Sequence, residues 1–193
     1  LSLARPASLP VAAPVLILWL AAPLIAWSLS RPLTRRAARL TADQVHFLRC
    51  LARKTWSYFD TYVGPGDHWL PPDNFQESPA LGVAHRTSPT NMGLALLANL
   101  SAYDFGYIPA GRLVDRTRLA FQAMSSLERH RGHFHNWYDT QSLAPLEPRY
   151  ISSVDSGNLA GHLLTLRPGL LALPDDPILP PRLFEGLSDT FAL

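Results

Sequence analysis

The first part of the chain carries a long uncharged run. Residues 6–30 contain no Asp, Glu, Lys or Arg, and Val11–Leu29 reads VAAPVLILWLAAPLIAWSL. About 20 apolar residues span the hydrocarbon core of a bilayer as a helix, and such helices tolerate prolines like Pro14 and Pro23. A cleaved signal peptide is the alternative, but its apolar region usually has only about 7–15 residues. The pattern therefore predicts a transmembrane helix.

Helical periodicity starts again soon after this run. Thr41 followed by Gln44 matches a capping box, and apolar positions then recur at helical spacing until Gly64-Pro65-Gly66 interrupts the pattern. This spacing predicts an amphipathic helix. Its aromatic residues are expected to pack in the core: Trp56, Tyr58 and Phe59.

Cap and stop signals predict further helices. Ser88 can cap the second helix, with Pro89 in its first turn. A third helix occupies residues 109–131, and a fourth starts near Asp155 and Ser156. The fourth should end at Arg167-Pro168-Gly169, because a proline inside a helix removes a hydrogen bond and clashes with the preceding turn. Residues 183–193 look like the start of another helix.

Two long segments between these helices lack periodicity. They are residues 64–88 and the stretch HFHNWYDTQSLAPLEPRY, and both mix aromatic residues with short polar ones. Aromatic rings can stack on the apolar faces of pyranoses while carboxylates and amides bind the hydroxyls, so these loops suit a sugar-binding surface. No convincing strand pair is present. Loop-rich helical hairpins indicate an α/α toroid, although about five helices are visible where a closed six-hairpin toroid needs twelve.

Charge is divided unevenly along the chain. Residues 1–40 carry five arginines and no acidic residue, whereas residues 41–193 carry 12 basic and all 15 acidic residues. The second part is therefore mildly acidic, which argues against a nucleic-acid partner. By the positive-inside rule, Arg31, Arg35, Arg36 and Arg39 place this part in the cytoplasm. The single cysteine, Cys50, excludes an internal disulfide.

Common catalytic motifs are missing from the sequence. There is no P-loop, G-x-S-x-G elbow, H-E-x-x-H or C-x-x-C motif. His130, His133 and His135 lie close in sequence, but no carboxylate or cysteine has a matching spacing, so we predict ordinary histidines and no metal site.

Acidic residues in the loops are candidates for glycoside chemistry, which needs two carboxylates on either side of the bond. No pair is recognisable as an acid and a nucleophile. Asp155 has an alternative role as a helix N-cap, and Asp139 can bond to its own turn. The candidates in the loops are Asp73, Glu77, Asp139, Glu147 and Asp155.

Four strings of residues carry a family resemblance: DHWLPPDNFQE, AHRTSPTN, GHFHNWYDT and PLEPRYISSVDSGNLAGHL. They resemble the central, glycoamylase-like region of bacterial cyclic β-1,2-glucan synthases, and the similarity runs from about Leu48 to Leu193. The preceding apolar segment resembles the last transmembrane helix of the glycosyltransferase part of these proteins.

The resemblance implies an all-α chain with two parts. Residues 1–40 are expected to be a transmembrane segment with a basic linker, and residues 41–193 the truncated first part of an (α/α)6 toroid. In the family, a transferase part uses UDP-glucose as donor, and the central domain closes the β-1,2-glucan ring by retaining transglycosylation. The catalytic glutamates are expected beyond Leu193, so the fragment alone should be inactive and needs no cofactor. The implied location is the bacterial inner membrane, and the implied partners are β-1,2-glucan, the bilayer and the remaining domains of the synthase.

The resemblance also implies a set of sugar-binding residues in the loops. Trp137 and Tyr138 are expected to stack on glucose units, while Arg86, Asp139 and Asp155 bind hydroxyls or support neighbouring loops. The alternative is that these loops are only hydrogen-bonded structure around helix caps. The full set is Trp69, Asp73, Asn74, Gln76, His85, Arg86, Thr87, Asn91, Asn136, Trp137, Tyr138, Asp139, Asp155, Ser156 and Asn158.

Two other functions are compatible with the residues. One is a membrane-anchored carbohydrate-binding module without catalysis, and the other is a structural helical bundle with a membrane tether. The bundle predicts that Trp137→Ala destroys folding, whereas a sugar-binding role predicts lost glucan binding with the fold retained.

Overall fold

The computed structural model describes residues 9–31 and 39–192. The chain divides into two compact units, Leu1–Leu40 and Thr41–Leu193. Within the described residues of the second unit, helices are joined by two long loops. The basic positions Arg5, Arg35 and Arg36, which contribute to the charge argument, lie outside the described residues.

Among the described residues of the first unit there is one helix, α1 (Leu9–Leu29), as the apolar run predicts. Pro14 and Pro23 lie inside it. The segment Pro10–Leu29 is the one described helix that is long and apolar enough to cross a membrane. Just after the helix, the Arg31 guanidinium lies 3.9 Å from the centre of the Trp27 ring.

Five helices form the framework of the second unit. They are α2 (Ala42–Tyr62), α3 (Pro89–Asp104), α4 (Ala110–Ser126), α5 (Ser153–Ala172) and α6 (Arg182–Phe191). Each predicted helix is therefore present.

The caps predicted at Thr41 and Ser88 are also present. The Gln44 backbone N–H donates to Thr41 Oγ1 at 3.3 Å, and the Thr41 N–H donates to Gln44 Oε1 at 3.0 Å, which completes the capping box. At α3, Ser88 Oγ accepts from the Asn91 N–H at 3.2 Å. These bonds satisfy backbone donors that have no partner inside the helix.

Helices α3 and α5 run parallel and pack closely. Thr90 contacts Asp155 near the start of both helices, and Leu100 contacts Gly169 near their ends. Midway, Gly93 lies against the ring of His162. Both helices therefore begin at the same end of the unit, and α4 lies between them in the sequence.

Two hydrophobic clusters hold these helices together. The larger contains Leu70, Met92, Leu96 and Met124 among its buried members and joins α3, α4 and α5 to the loops. In the smaller, Trp56 of α2 packs with buried residues of α3 and α4. Trp56 is 4% exposed, which confirms its expected place in the core. Tyr58 and Phe59 are partly buried, and the Tyr58 hydroxyl donates to the Pro72 carbonyl at 2.9 Å.

The predicted end of α5 is wrong. The helix continues through Pro168 to Ala172. Leu166 is 2% exposed in the larger cluster, and Leu170 packs against both clusters. Packing on either side of Pro168 therefore outweighs the interior proline, which costs a helix about 3 kcal/mol.

The expectation that no strands pair also needs correction. Three antiparallel pairs lie in the loops, and each strand has only two residues, so no alternation of polar and apolar positions could reveal them. The pairs are β1 (Phe75–Gln76) with β2 (Gly82–Val83), β3 (Arg86–Thr87) with β6 (Tyr138–Asp139), and β4 (Arg129–His130) with β5 (His133–Phe134).

Candidate functional site

The two long loops meet at one pair of strands. In this pair, Arg86 of β3 lies opposite Asp139 of β6, and Thr87 lies opposite Tyr138. The Thr140 N–H extends the contact by donating to the His85 carbonyl at 3.0 Å. Residues more than 50 positions apart in sequence are thereby brought to one place, close to where α3 begins.

Alternate residues of this strand pair have different burial, as the pleat of a strand requires. Thr87, Tyr138 and Thr140 are 0% exposed. Arg86 is exposed, and Trp137 is half-buried. The pair therefore has an inner row packed on the core and an outer row that contacts solvent.

Arg86 is the centre of the outer row. Its guanidinium donates to Asp73 Oδ2 from Nη2 at 2.9 Å and from Nε at 3.2 Å. The guanidinium carbon lies 5.0 Å from the centre of the Trp137 ring, within the range of a cation–π contact. One arginine thus connects the first loop to the aromatic ring of the second.

Asp73 is held on both oxygens. Oδ2 also accepts from Asn74 Nδ2 at 3.1 Å, and Oδ1 accepts from Asn91 Nδ2 at 3.2 Å. Asn91 belongs to the first turn of α3, so Asp73 connects the loop to the start of a core helix. The carboxylate supports the position of Arg86.

Asp139 mainly stabilises its own turn. Oδ1 accepts from the Ser142 N–H at 2.7 Å, from the Ser142 hydroxyl at 2.9 Å and from the Gln141 N–H at 3.0 Å. The Ser142 backbone hydrogen bond is the largest cause that lowers the pKa of Asp139 below its ordinary value. The carboxyl group is therefore held ionised, and Oδ2 has no hydrogen bond in the part of the chain that the structure describes.

A second polar group lies where α3 and α5 begin. The Thr90 hydroxyl donates to Asp155 Oδ1 at 2.5 Å, and Asn158 Nδ2 donates to Thr90 Oγ1 at 3.1 Å. Ser152, rather than Asp155, is the N-cap of α5, and it accepts from the Asp155 N–H at 3.1 Å. The Ser156 hydroxyl donates to the Ser152 carbonyl at 2.8 Å.

Several predicted residues lie inside the fold. Tyr138 is 0% exposed, and its hydroxyl donates to the Glu128 carbonyl at 2.6 Å and accepts from the His135 N–H at 2.7 Å. Its ring is therefore part of the core and offers no stacking surface, contrary to the role expected from the sequence. Thr87 and Asn136 are also buried, at 0% and 3% exposure.

Trp69 and Gln76 have partners other than the residues of the outer row. Trp69 is half-buried, and its ring centre lies 5.5 Å from the guanidinium carbon of Arg116. Arg116 itself is 3% exposed, and burial lowers its pKa. Gln76 belongs to the β1–β2 pair.

Three residues that support these groups have no strong sequence signal. Asp67 follows Pro-Gly in a 3-10 turn, Thr140 follows β6, and Thr90 lies in the first turn of α3. Their partners are 18 to 73 positions away in sequence, so no local pattern of residues could predict these contacts. Within the described ranges, no group of three His, Cys, Asp or Glu residues could hold a metal ion.

Comparison with curated proteins gives one clear similarity. Over 154 residues, the chain is 43% identical to the cyclic β-(1,2)-glucan synthase NdvB of Rhizobium meliloti (strain 1021). The match covers 79% of this chain, and the chain spans about 5% of the length of that synthase. No protein-family model matches the chain.

Comparison with solved structures supports the fold class. The crystal structure of a glucoamylase-like protein from Bacteroides fragilis NCTC 9343 matches with a TM-score of 0.54 and 20% identity. The match covers 69% of this chain and 32% of the other. The all-α fold of toroid type is thus confirmed, and the chain is similar in sequence to a segment of a cyclic β-(1,2)-glucan synthase, as the resemblance predicts.

Proposed function

We propose that the chain is part of a membrane-bound enzyme that acts on β-glucan, and that its outer row of loop residues binds the glucan chain. One observation carries this proposal: Arg86 joins Trp137 and Asp73 at the point where the two long loops meet. The similarity to a cyclic β-(1,2)-glucan synthase and the glucoamylase-like fold support the choice of substrate class.

The outer row offers the groups that a pyranose needs. The Trp137 ring provides an apolar face for the C–H groups of one glucose unit. Arg86 uses Nε and one Nη2 proton on Asp73, so its other N–H groups have no protein partner among the described residues and can donate to hydroxyl oxygens. Asp139 Oδ2 can accept from a hydroxyl.

We also propose that the parent domain closes the glucan ring by retaining transglycosylation. This reaction needs a nucleophilic carboxylate and an acid with a raised pKa. Asp139 has a lowered pKa, and both oxygens of Asp73 accept protein hydrogen bonds. The lowered pKa does not suit Asp139 to the role of acid. We assign a binding role to Asp139 and a supporting role to Asp73, and we expect the chain alone to be inactive.

The same carboxylate geometry favours a second candidate, a membrane-anchored carbohydrate-binding module without catalysis. The two functions differ in what the parent protein does with bound glucan. Incubating the parent protein with linear β-1,2-glucan and analysing the products by mass spectrometry distinguishes them. Transglycosylation breaks one glycosidic bond and forms another, so each ring that closes releases a shorter linear glucan and consumes no water. Cyclic glucan together with shortened linear glucan therefore indicates transglycosylation, and unchanged glucan indicates a binding module.

The membrane part of the proposal rests on α1 and the flanking arginines. We propose that Pro10–Leu29 spans the bacterial inner membrane and that the positive-inside rule places the second unit in the cytoplasm. The further partners would be the remaining domains of the synthase, whose transferase part would use UDP-glucose as donor. No cofactor is proposed for this chain.

Isothermal titration with linear β-1,2-glucan oligosaccharides tests the binding role, using the whole chain in mild detergent. Trp137→Ala and Arg86→Ala should each lower the affinity at least about tenfold, which corresponds to about 1.4 kcal/mol. Arg118→Ala is the matched control, because the Arg118 side chain is 54% exposed and that of Arg86 is 51% exposed.

Circular dichroism of each variant separates binding from folding. If the variants are folded and bind as tightly as the unaltered chain, the proposed glucan site is wrong. If Trp137→Ala alone unfolds the protein, the loop aromatics serve packing, as the structural bundle predicts.

A further inference from the structure

Beneath the strand pair, one buried carboxylate joins both long loops. Asp67 is 8% exposed, and its Oδ1 accepts from His85 Nδ1 at 2.7 Å. The Thr140 hydroxyl, from the second loop, donates to the same oxygen. The Thr140 carbonyl in turn accepts from His68 Nδ1 at 2.9 Å.

These contacts fix the tautomer of His85. An ionised carboxylate only accepts hydrogen bonds, so the proton of the neutral ring must be on Nδ1, and Nε2 must carry a lone pair. The Asp67 carboxylate cannot turn away easily, because Thr140 holds the same oxygen and the Asp67 N–H donates to the Gly64 carbonyl at 3.2 Å. The ring therefore has one fixed nitrogen and one available nitrogen.

The available nitrogen is open to a ligand. The His85 side chain is 39% exposed, and Nε2 makes no hydrogen bond to any residue that the structure describes. His85 directly precedes Arg86, whose guanidinium is the main donor of the outer row. The His85 carbonyl accepts from the Thr140 N–H at 3.0 Å, so this acceptor lies at the strand pair where the two loops meet.

We infer that His85 Nε2 accepts a hydrogen bond from a glucan hydroxyl, and that Asp67 and Thr140 are positioning residues that hold the accepting tautomer. This inference rests on the proposed function, because it assigns a specific contact within the same sugar-binding site. It gives a role to a carboxylate that is buried in the turn at the start of the first long loop. It also adds a hydrogen-bond acceptor to a surface on which Arg86 can only donate.

Two substitutions of His85 separate its two nitrogens. In His85→Asn, the shorter amide can still donate to Asp67 but has no atom near the Nε2 position. In His85→Gln, the longer amide can reach that position with its oxygen. We expect His85→Asn to lower the affinity for linear β-1,2-glucan oligosaccharides about fivefold, as for one uncharged hydrogen bond, and His85→Gln to restore most of it.

Asp67→Ala tests the positioning role. It removes the oxygen that accepts from both His85 Nδ1 and the Thr140 hydroxyl, so nothing holds the ring proton on Nδ1 and the proton can move to Nε2. Nitrogen-15 NMR of labelled histidine should show the Nδ1–H tautomer of His85 in the unaltered chain and a larger share of the Nε2–H tautomer in Asp67→Ala. The affinity for the oligosaccharides should fall about fivefold in this variant too. A purely structural role for Asp67 would not change the tautomer.

The outcomes distinguish this inference from the proposed function. If the unaltered chain binds the oligosaccharides and folded His85→Asn binds equally well, the role of Nε2 is refuted and the glucan site stands. If His85→Asn does not fold, the NMR signal of Nε2 in the unaltered chain decides, since it must shift when the oligosaccharide is added. If the unaltered chain binds no oligosaccharide, the proposed function and the ligand contact fail together.

Discussion

Substituting alanine for Gly93 tests the close approach of α3 and α5. A Cβ at Gly93 would lie 2.3 Å from His162 Nδ1 and 2.9 Å from both Cβ and Cγ of His162. The short distance to His162 Cβ matters most, because a rotation of the imidazole ring leaves Cβ in place. The substitution should therefore force the two helices apart or shift their register.

Two effects of opposite sign determine the magnitude. Alanine is favoured over glycine in a helix interior by up to about 1 kcal/mol. Overpacking in a well-packed core costs about 1–3 kcal/mol, and here the obstacle is anchored to the helix backbone. We expect Gly93→Ala to lower the free energy of unfolding by about 1–2 kcal/mol, since the clash exceeds the gain in helix propensity.

Gly161→Ala is the matched control on α5. A Cβ at Gly161 meets nothing within 4 Å, so only the gain in helix propensity remains. This variant should be up to about 1 kcal/mol more stable than the unaltered chain. Urea unfolding, followed by near-ultraviolet circular dichroism in detergent, should therefore show midpoints that move in opposite directions. If Gly93→Ala were stabilised as much as Gly161→Ala, the close contact between α3 and α5 would be refuted.

Two predictions concern ionisation. The pKa of Asp139 is lowered, so its hydrogen bonds to the turn stabilise the fold above the ordinary carboxyl pKa, and this contribution is lost as the pH falls through the lowered value. The urea midpoints of the unaltered chain and Asp139→Asn should differ at pH 7 and converge in acid; a difference that persists unchanged in acid would contradict the assignment. Burial raises the pKa of Tyr58 to about 12, and the pKa of Tyr107 is also raised to about 12. An ultraviolet titration of Tyr58→Phe should therefore show one late-ionising tyrosine fewer than the unaltered chain, while Tyr107 still ionises late. An unchanged number of late-ionising tyrosines would show that Tyr58 ionises normally.

Many residues of the candidate site could be predicted from the sequence, because they lie in two loops that mix aromatic and polar residues. The family resemblance implied a set that includes Asp73, Arg86, Asn91 and Trp137, and the structure brings these four residues together. The resemblance also implied that Tyr138 lies on this surface and stacks on glucose. The pleat of β6 instead points these neighbours in opposite directions, and a two-residue strand is too short to reveal that alternation.

The sequence by itself determined the helices, the caps at Thr41 and Ser88 and the apolar segment, because hydrogen bonds and periodicity within about four residues specify them. Tertiary structure decided the continuation of α5 through Pro168, the pairing of β3 with β6 and the contact of Asp67 with His85 and Thr140. These features depend on which distant groups fill a buried space or satisfy a buried polar atom. Contacts of this kind produce no periodic pattern in the sequence, so only the folded structure shows them.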